Sequence, residues 1–121
     1  MIIWRACSII LTVGVLVISS GSKLISPHQQ MFSIGRELYY GAASAELLLA
    51  VLLLTRFRKA GAVGCVILAA AGLLAEWLRP GRPCGCLGTM IVLSAREHVM
   101  VAGTMGALAA LVWIGCSRRT D

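Results

Sequence analysis

Two cysteines separated by one residue are the most chemically specific feature of the sequence. They lie in the segment Pro83-Cys84-Gly85-Cys86-Leu87-Gly88. A disulfide between thiols this close together closes a small, strained ring, and strain makes a disulfide easier to reduce. Gly85 permits the tight backbone of such a ring, and Gly88 lets the chain turn back. The pair suits thiol–disulfide exchange, and its spacing fits an inert structural bond equally well.

Charged and metal-binding side chains near the pair widen the choice of chemistry. Arg79 and Arg82 precede the cysteines, and a nearby positive charge favours the thiolate, which is the nucleophilic form. Thiolates also bind Cu(I), for which Met90 or His98 offers a further ligand. The segment has neither the second cysteine pair nor the spaced histidines of a zinc site. We therefore assign no metal ligands, and copper binding stays a third interpretation.

Other titratable groups occur within apolar sequence. Glu46 falls near the middle of an apolar run, where a functional carboxyl and a purely structural hydrogen bond are both expected. Glu76 lies one helical turn before Arg79, which predicts an ordinary ion pair. His98 begins the last apolar run, where proton relay and a structural role are both open. The other cysteines are expected to pack as small apolar side chains: Cys7, Cys65 and Cys116.

The composition indicates which kind of secondary structure positions these residues. The chain has 121 residues, of which 59% are hydrophobic and 13% charged, against about 45 to 50% and about 25% in soluble domains. Four apolar runs approach the length of about 20 residues that crosses a bilayer as a helix. Their expected bounds are 4 to 24, 38 to 54, 61 to 78 and 98 to 116. We predict an all-α membrane protein, a single antiparallel bundle of four transmembrane helices with short loops over residues 1 to 121.

Local patterns predict where two helices begin. Ser26-Pro27-His28-Gln29 combines an N-cap, a first-turn proline and a capping-box glutamine, which indicates a brief interfacial helix. Ser94-Ala95-Arg96-Glu97 is a second capping box and starts the last helix. Ser19-Ser20-Gly21-Ser22 resembles the cleavage region of a signal peptide. Because the preceding run is long and has a single leading arginine, we expect a retained helix there.

The basic residues are expected to orient the helices, because cytoplasmic loops carry an excess of Lys and Arg. Six of the eleven fall on one side of the predicted bundle, and three of these crowd the tight turn from residue 56 to 59. We therefore place both termini in the cytoplasm and the cysteine segment on the opposite side. The net charge of +6 is scattered in small groups, which argues against nucleic-acid binding. The lipid bilayer is the expected partner.

Taken in order, these motifs resemble the MauE branch of the DoxX-like membrane proteins, a family named for methylamine utilisation. The resemblance extends over nearly the whole chain. Its motifs are Gly21-Ser22-Lys23-Leu24, Ser26-Pro27, Glu46-Leu47-Leu48-Leu49 and Cys84-Gly85-Cys86-Leu87-Gly88. The chain departs from the family pattern at Pro83, where an acidic residue is usual, and at Leu87, where Phe is usual.

The resemblance implies a multi-pass protein of the bacterial inner membrane, with its Cys-Gly-Cys loop in the periplasm. Such a protein works with a periplasmic thioredoxin-like partner in maturing an exported enzyme. By analogy, Cys84 and Cys86 would exchange disulfides, and Lys23 and Glu46 would be structural or acid–base supports. A quinone within the bundle is open as the electron acceptor, beside Tyr39, Tyr40 and Trp77.

The leading interpretation is therefore a thiol–disulfide oxidoreductase, with the direction of electron flow open. The main alternative is a membrane assembly or anchor subunit without enzymatic activity. The small residues of Gly103-Thr104-Met105-Gly106-Ala107 would let another helix approach closely, from a partner or from a second copy of the chain.

Overall fold

The computed structural model of the chain describes residues 2–25, 35–80 and 94–118, which form four α-helices and no strand. The helices are α1 (Ile2–Ile25), α2 (Arg36–Leu54), α3 (Arg58–Leu78) and α4 (Ala95–Ser117). The prediction of four helices is confirmed. The largest difference in bounds is three residues, at the starts of α3 and α4, where 61 and 98 were expected and 58 and 95 are observed.

Each helix is long and apolar enough to cross a membrane. Large apolar side chains on every helix are more than half exposed, among them Ile10, Leu48, Ile67 and Leu111. A helix that is apolar on its outer face as well as its inner face is typical of a membrane span. The fold is therefore compatible with a multi-pass membrane protein.

The four helices surround a common centre. Each consecutive pair packs together, and α4 also packs against α1. Within the described residues, α1 does not contact α3 and α2 does not contact α4. A very short turn joins α2 to α3, where the Thr55 backbone N–H donates to the carbonyl oxygens of Val51 and Leu52. A cavity can form at the centre of the bundle, because neither α1 and α3 nor α2 and α4 close the space between them.

The buried Lys, Glu and His side chains of the described residues lie in one half of the interior, whereas buried Ser8 and Thr12 of the other half donate to carbonyl oxygens of their own helix. The apolar half lies towards the α2–α3 turn and contains Leu16, Ala50, Leu53, Ala62, Cys65, Ala109 and Val112. The polar half lies towards the end of α3 and the start of α4. Its buried side chains are Ser19, Ser20, Lys23, Glu46, Glu76 and His98.

The capping box predicted at the start of α4 is confirmed. The Ser94 Oγ accepts a hydrogen bond from the Glu97 backbone N–H at 3.4 Å, and Glu97 Oε2 accepts from the Ser94 backbone N–H at 2.8 Å. These contacts satisfy backbone donors that a helix start leaves without partners. The other predicted helix start, Ser26-Pro27-His28-Gln29, lies outside the described residues.

Gly61 allows α3 to begin directly against the end of α2. A Cβ atom at this position would lie 3.0 Å from the backbone nitrogen of Leu53 and 3.1 Å from Leu52 Cβ. Both are closer than ordinary van der Waals contact, and the Leu53 nitrogen is backbone that cannot turn aside. The close approach of the two helices therefore depends on a glycine here.

We expect Gly61→Ala to lower the free energy of unfolding by about 1 to 3 kcal/mol, because the added methyl group overpacks the α2–α3 contact. Gly103→Ala is the matched control, since no atom lies within 4 Å of its Cβ position. That control should be neutral or stabilising by up to about 1 kcal/mol through helix propensity. The measurement is titration of the micelle-bound protein with a denaturing detergent, followed by circular dichroism. Equal stability of the two variants would contradict the described α2–α3 contact.

Candidate functional site

A buried ion pair joins α1 to α2. Lys23 Nζ lies 2.6 Å from Glu46 Oε1, and the two side chains are 1% and 7% exposed. Lys23 is in the last turn of α1, whereas Glu46 is near the middle of α2. Charges removed from water are tolerated only when opposite charge and hydrogen bonds compensate them. The burial of each charged side chain therefore depends on the presence of the other.

Two serines of α1 extend this connection. Ser19 Oγ donates to Glu46 Oε1 at 3.0 Å and accepts from Lys23 Nζ at 3.2 Å. Ser19 precedes Lys23 by one helical turn, which puts both on the same face. Ser20 Oγ donates to the Ala43 carbonyl oxygen at 2.8 Å. The serines that also resembled a cleavage region thus hold α1 against α2.

The second carboxylate oxygen of Glu46 takes no part in the contacts with Lys23 and Ser19. Oε2 is buried and has no hydrogen-bond partner among the described residues. A buried acceptor without a donor costs about 1 to 3 kcal/mol. Glu46 also lines a cavity between the helices. The carboxyl group can therefore accept a hydrogen bond from a molecule that enters the cavity.

A second buried pair joins α3 to α4. Glu76 Oε2 lies 3.6 Å from His98 Nδ1, with side chains 9% and 6% exposed. The imidazole packs beside Gly72, where an added Cβ atom would stand 3.5 Å from Nε2, an ordinary van der Waals distance. Sequence reasoning expected Glu76 to pair with Arg79, and the contact that the structure defines for this carboxyl is with His98. A protonated imidazole would be attracted to the carboxylate.

The cavity lies between all four helices and has a volume of about 480 Å³. Lys23 and Glu46 line it from α1 and α2, and His98 lines it from α4. Small residues leave the space open, among them Gly41, Ala45, Ala69, Gly72, Ala75 and Ala102. Glu37 and Leu38 also line the cavity and are exposed, so it reaches the surface beside the start of α2.

Three of the site residues predicted from sequence meet at this cavity. They are Lys23, Glu46 and His98. The others lie outside the described residues, in the segment that connects α3 to α4: Arg82, Cys84, Gly85, Cys86 and Gly88. Met90, considered as a copper ligand, lies there too.

Sequence reasoning did not foresee the Lys23–Glu46 contact. The sequence contained a feature that points to this contact: Glu46 is the only charged residue between positions 38 and 54. A lone buried carboxylate needs a cation from another helix. Lys23 closes the preceding apolar run and was the nearest basic residue on the other side of the predicted loop.

The aromatic residues expected beside a quinone do not line this cavity. Tyr39 is fully buried and packs edge-on against Tyr40, with ring centroids 5.2 Å apart. Trp77 is 77% exposed and so lies on the outside of the bundle.

The three cysteines within the helices have separate surroundings. Cys65 is buried in the apolar half, with Cys116 packed against that cluster, and Cys7 is exposed. All three are free thiols. In the described ranges, no group of three or more His, Cys, Asp or Glu side chains could hold a metal ion. Packing, the expected role for Cys65 and Cys116, agrees with their positions.

Comparison of the chain with protein-family models, with curated proteins and with solved structures finds no match in any of the three. The resemblance to the MauE branch accordingly rests on the sequence motifs themselves.

Breaking the ion pair from one side should be more damaging than removing both charges. We expect Lys23→Met to lower the free energy of unfolding by about 3 to 5 kcal/mol, because it leaves Glu46 buried without its cation. The double variant Lys23→Met, Glu46→Leu should recover much of that loss. Detergent unfolding of both single variants and the double variant gives the coupling energy. Glu37→Gln, an exposed acid in the first turn of α2, is the control.

A coupling energy near zero in this cycle would show that the two charges do not stabilise each other. In that case the 2.6 Å contact would not be the interaction that holds α1 to α2.

Proposed function

We propose that the chain spans the bacterial inner membrane as a single antiparallel bundle of four helices. The apolar, exposed outer faces of all four helices support this proposal. Contacts between opposite helix ends support the antiparallel arrangement. His98 at the start of α4 lies against Glu76 near the end of α3. Arg5 near the start of α1 lies against Gly115 near the end of α4.

The proposed orientation has both termini in the cytoplasm. The turn between α2 and α3 supports it, because Arg56, Arg58 and Lys59 lie within four residues there and short cytoplasmic loops are rich in basic residues. The connection between α3 and α4 then lies on the periplasmic side. An oxidising compartment is where disulfide chemistry occurs.

Within that frame the chain acts as a membrane thiol–disulfide redox protein, with Cys84 and Cys86 as the exchanging pair. A thiolate of a periplasmic thioredoxin-like partner attacks one sulfur, which breaks the Cys84–Cys86 bond and forms a mixed disulfide. The partner's second thiolate then displaces the cysteine, so that the partner leaves oxidised and the pair leaves as a dithiol. In the reverse direction the other cysteine of the pair resolves the mixed disulfide and the partner leaves reduced.

The observation that carries this proposal is the position of the polar half of the bundle. Glu76 and His98 pair where α3 ends and α4 begins, and the cysteine segment connects those two ends. Lys23 and Glu46 line the same cavity as His98. Thiol exchange consumes and releases protons, and it is helped by acid–base groups nearby. All the buried ionisable pairs of the described residues lie at this end.

An assembly or anchor subunit is the second candidate. Gly103 favours it, because this residue is exposed on α4 and has no atom within 4 Å of its Cβ position. A further helix could approach closely there. Gly106 does not contribute to that surface, since its Cβ position faces Ala69 at 3.6 Å. Copper binding through Cys84, Cys86 and His98 is less favoured, because the imidazole is buried beside Glu76.

Topology can be tested by labelling intact cells with a membrane-impermeant maleimide. We expect Cys84 and Cys86 to be labelled only after a reducing agent opens their disulfide. Thr55→Cys, placed in the exposed α2–α3 turn, should be labelled only after permeabilisation. Mass spectrometry of the peptides reads both sites. Labelling of Thr55→Cys in intact cells would reverse the proposed orientation.

Exchange can be tested with purified protein and a reduced thioredoxin as the probe. We expect the disulfide form of the wild type to oxidise one equivalent of the thioredoxin, and the Cys84→Ser and Cys86→Ser variants to oxidise none. Each single variant leaves the probe reduced, because its remaining cysteine has no partner with which to form the disulfide that the thioredoxin would reduce. Cys7→Ser, which removes an exposed free thiol, is the control and should keep full exchange. Full exchange by the Cys84→Ser, Cys86→Ser double variant would exclude the redox function and favour the assembly subunit.

A further inference from the structure

The cavity has the size and walls of a small-molecule site. Its volume of about 480 Å³ falls in the range of about 300 to 1,000 Å³ that such sites occupy. Most of its wall is Gly, Ala and larger apolar side chains. It reaches the surface at Leu38, which is 68% exposed. An occupant must therefore be mainly apolar, and in the proposed orientation it enters from the lipid.

Polar groups face the cavity from two separate places. On α1 and α2 they are the Lys23 ammonium and the Glu46 carboxylate, whose buried Oε2 has no partner among the described residues. On α4 the group is the His98 imidazole, held beside Glu76. Glu46 and His98 lie on α2 and α4, which are diagonal to each other in the bundle. A molecule with a polar atom at each end of a compact body could reach both.

The charges around the cavity favour a neutral ligand. Lys23 is balanced by Glu46 at 2.6 Å, and Glu76 lies beside His98. The remaining charged residue of the lining, Glu37, is exposed at the mouth. An anionic head group would compete with Glu46 for the ammonium, and a cationic one would compete with Lys23 for the carboxylate. A neutral oxygen can add to these pairs without breaking them, because an ammonium group has three donors and a carboxylate has several acceptor positions.

We propose that this cavity binds a lipid-soluble quinone and its hydroquinone, a neutral ring with an oxygen at each end. A hydroquinone O–H donates to Glu46 Oε2, and a quinone carbonyl accepts from Lys23. The oxygen at the far side of the ring meets His98. The small residues that leave the cavity open, such as Ala75 and Ala102, provide the space for the ring.

A redox role for this ligand rests on the proposed function. The Cys84 and Cys86 thiols would lose two electrons and two protons as their disulfide forms. The quinone would gain the same two electrons and two protons and become the hydroquinone. Binding itself does not depend on the thiols, because every group assigned to the ligand lies on the described helices.

Photocrosslinking of the purified full chain in micelles tests the binding. The probe is an azidoquinone, and decylubiquinone and 1-decanol are the competitors. We expect crosslinks on peptides that line the cavity, displaced by decylubiquinone but not by 1-decanol, which has a single oxygen. Displacement by both competitors to the same degree, or the absence of cavity crosslinks on folded protein, would overturn the proposal.

Two alanine-to-leucine substitutions on α3 distinguish binding in the cavity from binding on the outer surface of the helix. Ala75→Leu fills the cavity wall and should weaken decylubiquinone binding about tenfold or more, which corresponds to about 1.4 kcal/mol. Ala70→Leu adds the same bulk at an exposed position that does not line the cavity and should bind as the wild type does. Equal affinity of these two folded variants would also overturn the proposal. If Ala75→Leu does not fold, Ala71→Leu, on the exposed rim of the same wall, serves in its place with the same criterion.

The Cys84→Ser, Cys86→Ser double variant distinguishes this inference from the proposed function. We expect it to bind the quinone with unchanged affinity. Binding by a wild type that shows no thiol exchange would support the quinone site and exclude the redox function. Exchange by a wild type that binds no quinone would overturn the quinone site and leave the redox function standing.

Discussion

The structure depends on compensation of charge inside an apolar bundle. Lys23 and Glu46 are almost fully buried, and neither would be stable there without the other. Their contact at 2.6 Å, supported by Ser19, sets how far α1 and α2 are displaced along each other. Because α3 and α4 pack on these two helices, the relative position of α1 and α2 also affects how the other pair packs.

Separation of the interior into two halves follows from the same constraint. Towards the α2–α3 turn, Leu53, Cys65 and Val112 pack together, and the glycine at position 61 lets the helices approach closely. At the other end, polar side chains need partners and the surrounding residues are small. The main apolar cluster therefore lies towards the α2–α3 turn, and the cavity lined by Lys23, Glu46 and His98 extends towards the other end.

The proposed chemistry belongs to the polar half of the interior. The glutamate and histidine at positions 76 and 98 mark the place where the chain leaves α3 and enters α4, on either side of the cysteine pair. In the proposed exchange the dithiol supplies two electrons and two protons, and acid–base groups beside an apolar cavity would serve a lipid-soluble carrier. No single helix contributes all of them, so the activity would depend on the assembled bundle.

Features that depend on local order could be predicted from consecutive residues. Four apolar runs predicted four helices, because span length and hydropathy are properties of consecutive residues, and Ser94 with Glu97 predicted the start of α4. The spacing of Cys84 and Cys86 likewise identified the candidate dithiol. The packed helices were needed to show that Lys23 contacts Glu46, 23 positions away, and that the cavity lies between all four helices. Those contacts depend on which helix faces meet, and consecutive residues carry little information about that.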